Sequence, residues 1–466
     1  MRLDRLLGDV DVLEVRGEPA SVEITAIAHD TAAVRPDTLF CCLKGARADG
    51  HDFAPQAVDA GAVALVCERF VDVAVAQARV PDARAAMGPA AATLYGHPST
   101  ALRVVGVTGT NGKTTVSHLL GSIFDAHGWA AGVIGTLTGA RTTPEAPALQ
   151  EALARFRDEG RVAVAMEVSS HALVQHRVDG VRFAVAVFTN LSQDHLDYHA
   201  DMDDYFAAKA RLFEPHRSEL AVVNIDDPWG RRLRDSVSVH VVPYSIDDAH
   251  RLELGPEGAT FGWEGATIRL RLRGRFNVMN ALAAATTARE LGIGAADTAA
   301  GLEAVDSIPG RFETIEAGQP FTVVVDYAHT PDGLVQALTA ARELTSGRVL
   351  VVFGAGGDRD HAKRPLMGVA ATRLADLAVL TSDNPRTEDP MAIIADVRAG
   401  IDGDDKLVVE PDRAAAIRLA MVEAAPGDVV VIAGKGHETG QDIDGVVHPF
   451  DDHDVARAAL QEARRS

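Results

Sequence analysis

The run Gly106-Val107-Thr108-Gly109-Thr110-Asn111-Gly112-Lys113-Thr114-Thr115 has the residue types and order of a phosphate cradle. It follows the mainly apolar run 102–105 and precedes Val116, Leu119, Leu120, Ile123 and Phe124 at helical spacing. A strand, a glycine loop and a helix N-terminus bring backbone N–H groups and the positive end of a helix dipole onto phosphate oxygens. Lys113 is placed to reach the β- and γ-phosphates, and the Thr114 hydroxyl to ligate Mg²⁺. Strict P-loop spacing would put a glycine at Val107; here the glycines stand at 106 and 109. A bare glycine turn would not need the Lys-Thr-Thr opening of the helix. Phosphate binding by Gly109, Thr110, Asn111, Gly112, Lys113, Thr114 and Thr115 is therefore expected.

Other segments add chemistry to this cradle. Glu167 ends an apolar run in Met166-Glu167-Val168-Ser169-Ser170-His171, which suits a Mg²⁺ ligand acting with Thr114. Asp194-His195-Leu196-Asp197-Tyr198-His199 packs two aspartates and two histidines into six residues, a polar and metal-capable corner. Lys209 lies on a helix with an apolar face and reads, by itself, as a snorkelling surface residue. In the loop 383–390, the Arg386 fork suits a carboxylate. The alternative is an exposed ion pair with Glu388 or Asp389, which would contribute little. Gly434-Lys435-Gly436-His437-Glu438 is also loop-like, with glycines that let a ligand approach the backbone.

The elements that must position these residues read as α/β. At 466 residues the chain is too long for one ordinary core. Residues 1–100 show short strand runs at 22–27, 38–43 and 62–66, with a helix at 53–60 ended by Gly61. Residues 101–312 alternate strand and helix, with nearly continuous apolar strands at 103–107, 131–134, 162–168, 183–189 and 220–224. Such runs belong to a parallel sheet covered on both faces. The 240–275 stretch alternates more and suggests antiparallel strands; 277–291 reads as a helix. Residues 313–466 repeat the pattern at 322–326, 349–353, 377–380 and 429–433. The chemistry-bearing residues fall after strands, where doubly wound sheets bind ligands.

Bulk properties narrow the function. A net charge of −21 argues against a nucleic-acid surface. Three cysteines without motif spacing suggest reduced core thiols and a cytoplasmic protein. No apolar run approaches the roughly 20 residues of a membrane span, and the N-terminus lacks a signal-peptide pattern.

Seven ordered segments, at 106–115, 166–173, 194–199, 326–331, 354–365, 383–390 and 434–438, make the chain resemble the Mur ligases of peptidoglycan synthesis. The resemblance implies an N-terminal UDP-binding α/β domain, a central P-loop ATPase domain and a C-terminal Rossmann-like domain. It implies ATP as cofactor, two Mg²⁺ sites and an acyl-phosphate route to an amide. Lys113, Glu167, His195 and Lys209 then carry catalysis. Thr114, Glu167, His195 and Lys209 hold metal, with Lys209 carbamylated (N6-carboxylysine). Asn277 is implied for adenine, and Arg311 and Asp326 for phosphate and ribose, with His329 beside them. Thr142, Thr143, Ser169, Gln175 and Arg177 would hold UDP-MurNAc-L-Ala-D-Glu. Arg359, Asp383, Asn384, Arg386, Gly434 and Glu438 would hold the incoming amino acid. Asp-Asn-Pro-Arg at 383–386 points to meso-diaminopimelate, whose distal carboxylate suits Arg386; L-lysine or another amino acid, and a catalytically silent binding partner, are the alternatives. A cytoplasmic monomer is expected. The chain departs from the family pattern at Asp30-Thr31-Ala32, where Asp-Ser-Arg is usual, at Pro36-Asp37, and in a short segment between Thr136 and Thr142.

Overall fold

A computed structural model describes residues 1–45, 48–403 and 405–463. The last residues of the third expected segment, 464–466, lie outside the described residues. The α/β architecture is built on three parallel-rich sheets, one per unit.

The first sheet runs Glu14–Arg16, Ala76–Arg79, Ala62–Cys67, Thr38–Cys41, Ala26–Ala28, with only the first strand antiparallel. Of the expected strand at 22–27, only its end is sheet. Val22 and Ile24 instead exchange backbone bonds with Leu3 and Met1, because the N-terminal helix Leu3–Leu6 needs that cover. Cys41, Cys42 and Cys67 are free and buried.

The central sheet is parallel throughout, in the order His240–Tyr244, Leu220–Asn224, Val185–Phe188, Arg103–Thr108, Ala163–Glu167, Ala131–Ile134. The P-loop strand lies in the middle, with chain crossing to either side of it, so its carboxyl end opens at a switch point. Helix Lys113–Ala126 buries Val116, Leu119, Leu120, Ile123 and Phe124 against it. Helix Arg275–Glu290 is buried nearly all round, which its run of small alanines permits.

The expected antiparallel character of 240–275 holds only from His250 onward. His240–Tyr244 is instead a parallel edge strand. Its alternation has a physical reason: Val242 and Tyr244 are buried while His240 and Pro243 face out, and proline is tolerated at an edge. His250–Gly255, Gly258–Trp263 and Ala266–Leu270 form the antiparallel sheet. Phe261, Trp263, Ile268 and Leu270 from it join the core under the P-loop helix.

The third sheet runs Glu313–Ile315, Thr322–Asp326, Val429–Ala433, Val349–Phe353, Leu377–Leu380, Leu407–Val409, parallel except for its first strand. A hairpin, Gly440–Ile443 with Val446–Pro449, follows it. No described helix is long and apolar enough to cross a membrane.

One buried ion pair ties the C-terminal helix Asp452–Ala463 to this unit. Arg413 Nε and Nη2 donate to the Asp452 carboxylate at 2.8 and 2.7 Å, and Nη2 also donates to the Ala433 carbonyl at 3.0 Å. Both side chains are fully buried. Asp452→Ala would strand the guanidinium, and urea denaturation should show a loss of about 3–5 kcal/mol. A loss no larger than the ~0.5 kcal/mol of an ordinary surface change would contradict this account.

Candidate active site

The cradle is formed as its residue order requires. Gly112 caps helix Lys113–Ala126 with φ 88°, a left-handed conformation that a Cβ would disfavour. An added Cβ would also meet Asn280 Oδ1 at 2.4 Å. Lys113 Nζ donates to the carbonyls of Gly109 and Thr110 at 2.9 and 2.8 Å, so it folds over the loop. The Asn111 amide N–H donates to Asn190 Oδ1 at 2.9 Å, and Thr110 Oγ1 lies 3.3 Å from the Tyr205 hydroxyl.

Thr114 and Glu167 meet at the base of the cradle. Thr114 Oγ1 donates to Glu167 Oε2 at 3.0 Å, and Arg311 Nη2 donates to Thr114 Oγ1 at 3.0 Å. Glu167 Oε1 accepts from the Thr136 backbone N–H at 2.7 Å. A buried hydroxyl and carboxylate converging here are hard oxygen donors of the kind Mg²⁺ takes. Around them lies a cavity of about 790 Å³. Its far wall is the third unit: Tyr327, His329, Gln336 and Thr339 line it. Asn280 lines it too, whereas Asn277 is buried behind, donating to the Arg273 carbonyl and accepting from Asn280. Asp326 accepts from the Phe312 N–H at 2.7 Å. Burial pushes its carboxyl up to about 6, against the nearby Arg311.

Lys209 is not a surface residue. It is 1% exposed, and its Nζ donates to the Gly109 carbonyl at 2.8 Å. Burial, and then Lys113, hold its ammonium well below the usual lysine range. Beside it, Asp194 lies 3.0 Å from Lys363 Nζ, 3.5 Å from His195 and 3.6 Å from His329. Burial alone would raise the Asp194 carboxyl, but His329, Lys363 and His195 hold it well below the usual range. His195 takes a left-handed φ of 57°, the kind of local strain that gathers at functional sites. Burial pushes its imidazole down to about 3, and that of the neighbouring His171 to about 4.

The residues expected for the sugar-peptide form one bonded cluster. Thr143 Oγ1 donates to the Glu167 carbonyl at 3.0 Å and lies 3.4 Å from Ser169 Oγ. Arg177 donates to the Thr143 carbonyl at 3.2 Å and to Gln175 Oε1 at 2.7 Å. Thr142 Oγ1 lies 3.0 Å from Thr136 Oγ1.

A second cluster lies in the third unit. Asn384 donates to Glu438 at 2.8 Å, and the fully buried Lys435 reaches both Asn384 Oδ1 and Glu438 Oε2 at 3.1 Å. Gly434 sits where a Cβ would overlap Asp383 Oδ2 at 2.3 Å. Burial raises the Asp383 carboxyl, opposed by Arg413. Arg386, at φ 52°, donates Nη1 to the Gly357 carbonyl. The alternative pairing with Glu388 or Asp389 does not form. Glu388 is held by Arg364, and Asp389 caps the helix Pro390–Arg398. Arg359 is exposed near Gly356.

Reading the sequence missed Lys363 and Lys435 as site groups. Lys363 stands within the segment 354–365 that was singled out, but nothing local says that it crosses to Asp194.

A glycine loop at the switch point of a parallel sheet, walled by a second doubly wound sheet and flanked by two hydrogen-bonded polar clusters, is the arrangement of a nucleotide-dependent ligase. Family comparison agrees: the Mur ligase family, catalytic domain, matches residues 23–101, the Mur ligase middle domain 107–288, and the Mur ligase, glutamate ligase domain 310–436. The chain belongs to the Mur ligase family. It is 47% identical to a UDP-N-acetylmuramoyl-L-alanyl-D-glutamate–2,6-diaminopimelate ligase from Streptomyces coelicolor, covering 97% of this chain and 96% of that one. A ligase of the same name from Geobacillus thermodenitrificans is also 47% identical, covering 95% and 96%. A solved structure bearing that name has a TM-score of 0.69 at 34% identity, with 100% of each chain covered.

The depressed histidines set a pH dependence. A folded state that refuses protons below the ordinary value of 6.5 loses stability as the unfolded chain takes them up. The ligand-free protein should therefore melt at lower temperature as pH falls from 6.5 towards about 4, the folded value of His171. His171→Gln with His195→Gln should flatten that slope; an unchanged slope would show that the loss arises elsewhere.

Proposed function

We propose that the chain uses ATP to join 2,6-diaminopimelate to UDP-N-acetylmuramoyl-L-alanyl-D-glutamate. The observation that carries the choice of amino acid is Arg386. It has no carboxylate partner among the described residues, because Arg364 takes Glu388. A half-buried, unpaired guanidinium suits an amino acid with a distal carboxylate. Lysine would bring a second cation and leave the fork bare. Asp383, Asn384, Gly434 and Glu438 hold the rest of that substrate, with Arg359 at its rim.

The reaction has two steps. The γ-phosphoryl group moves from ATP to an oxygen of the D-glutamyl carboxylate, and ADP leaves. The neutral amine of diaminopimelate then attacks the carbonyl carbon, the bond to phosphate breaks, and the new amide nitrogen loses a proton. Two anions must approach in the first step, so cationic groups must offset their repulsion. Lys113 turns from the Gly109 and Thr110 carbonyls to the phosphates, and Arg311 stands beside Thr114 to meet the same charge. Asp326 serves ribose, with His329 adjacent; Asn277, bonded to the Arg273 carbonyl and to Asn280 behind the cavity wall, acts on adenine only through Asn280. Thr142, Thr143, Ser169, Gln175 and Arg177 orient the sugar-peptide so that its acid meets the phosphate.

Thr114 and Glu167 would hold one Mg²⁺, which supplies charge neutralisation when bound. His195 and Lys209 fit a second site only if Lys209 carries a carboxylate, since Mg²⁺ takes oxygen donors and a lysine amine offers none. Carbamylation needs a neutral amine: it adds to CO₂ and releases a proton. The burial that depresses Lys209 supplies that neutral form. The reading sets the reaction in the cytoplasm, where ATP is available, and needs only one copy of the chain.

Phosphate release should require ATP, the nucleotide-sugar dipeptide and diaminopimelate together, with L-lysine used about 10⁴-fold less efficiently. Arg386→Ala should raise KM for diaminopimelate and leave KM for ATP unmoved; equal use of lysine by the unaltered enzyme would overturn the assignment. Labelled bicarbonate should give a carbamate resonance that Lys209→Ala abolishes together with turnover. Full activity in that variant would remove Lys209 from the mechanism.

A further inference from the structure

Three arginines close on one carboxylate at the seam between the first and central units. Arg84 lies in helix Ala83–Leu94 of the first unit, and Glu145 immediately precedes helix Ala146–Asp158 of the central one, its side chain making no capping bond. Arg177 Nη2 stands 3.0 Å from Glu145 Oε1, Arg141 Nη1 bonds to the same oxygen, and Arg84 Nη1 stands 3.9 Å from Oε2. Glu145 Oε2 and Arg177 Nε are buried without a hydrogen-bond partner. Burial keeps the neighbouring His29 low despite Glu145, so it adds no charge. Three guanidiniums against one carboxylate leave two positive charges over, inside a chain of net charge −21. The surplus lies on the more exposed pair, Arg84 at 27% and Arg141 at 56%, where an entering anion can reach it.

The cluster is joined to the catalytic carboxylate by direct contacts. Arg177 bonds to the Thr143 carbonyl, and Thr143 Oγ1 to the Glu167 carbonyl. It therefore runs from the acid-activating end of the cleft out to the first unit. The seam it lies on is tightly packed: Ala146 is buried in the first unit's core, and a Cβ at Gly88 would meet the Asp179 carbonyl oxygen at 2.4 Å.

We infer that Arg84 and Arg141 bind the diphosphate of the nucleotide-sugar substrate across this seam, with Glu145 as their internal counter-ion. The inference rests on the function proposed above. There the acid to be activated must sit at the P-loop. The diphosphate, a dianion separated from that acid by the sugar and the dipeptide, reaches outward along the same contacts. Its two charges match the two left over, and the guanidinium fork fits phosphate oxygens bidentately.

The test is calorimetric binding of UDP and of uridine to the full-length protein, beside steady-state kinetics. Arg84→Ala and Arg141→Ala should each weaken UDP by about ten-fold or more and leave uridine unchanged. KM for the nucleotide-sugar dipeptide should rise in step with UDP, and KM for ATP should stay. Arg84→Lys and Arg141→Lys, which keep the charge without the fork, should fall between and serve if the alanine variants misfold. UDP affinity within two-fold of the unaltered protein, or a parallel loss for uridine, would overturn the inference. If the unaltered enzyme turns over the nucleotide-sugar dipeptide while the variants are unaffected, only this inference fails. If it neither binds nor turns over that substrate, the proposed function fails with it.

Discussion

Two lysines share one carbonyl. Lys113 and Lys209, from different helices, both donate to the Gly109 oxygen, Lys209 fully buried and Lys113 half-buried at the cavity wall. Two ammonium groups that close cannot both remain fully charged, because burial and mutual repulsion each favour loss of a proton. The side chain deeper in the protein, Lys209, loses the contest. The consequence is an asymmetric pair: Lys113 at the cavity, and Lys209 behind it with its ammonium held well below the usual lysine range. The loop that makes this possible turns the Gly109 carbonyl towards both lysines, at a glycine where an added Cβ would overlap Thr189 Oγ1 at 1.9 Å.

The site is closed by contacts between units. Arg311 reaches Thr114, Asn111 donates to Asp332 at 3.1 Å, and Lys363 pairs with Asp194. Buried pairs of this sort add little net stability, since desolvation offsets attraction. They do specify geometry. Asp194 holds His195, His329 and Lys363 around a single carboxylate, so the third unit is registered on the central one by charge as well as by packing. An anionic ligand entering the cavity would compete for Lys113 and Arg311.

What the sequence made legible was local. The cradle, the parallel strands and the loop at 383–390 depend on short-range patterns, and strands such as Ala131–Ile134, Leu220–Asn224 and Val349–Phe353 begin and end where the apolar runs do. Very short strands, Glu14–Arg16 with one apolar residue and Leu407–Val409 with three, do not stand out from the loops around them. Lys209 reads as a surface lysine because its helix places it beside apolar residues. Its burial depends on the Gly109 carbonyl, a hundred residues away. The freedom of Arg386 is likewise unreadable: it depends on Arg364, fully buried on another helix, having captured Glu388 first. Periodicity reports which face is covered, but not which partner covers it.

The departures from the family pattern are absorbed in the same local way. The short segment after Thr136 still delivers both of its ends, because the Thr136 and Thr142 hydroxyls lie 3.0 Å apart and Thr136 is pinned to Glu167 by its backbone N–H and its hydroxyl. Shortening a loop whose ends already touch costs little, since closure entropy changes slowly with length. At Asp30-Thr31-Ala32, Asp30 accepts the Ala32 N–H at 3.0 Å and caps the short turn Thr31–Ala33, so the backbone does not depend on the side chain at 32. Electrostatics, not folding, is what an alanine there changes: it removes a cation from the first unit's face. A molecule this acidic can tolerate that loss only if the anion it would have met is neutralised from elsewhere, and the arginines gathered on Glu145 are the excess of positive charge that stands on that side of the cleft.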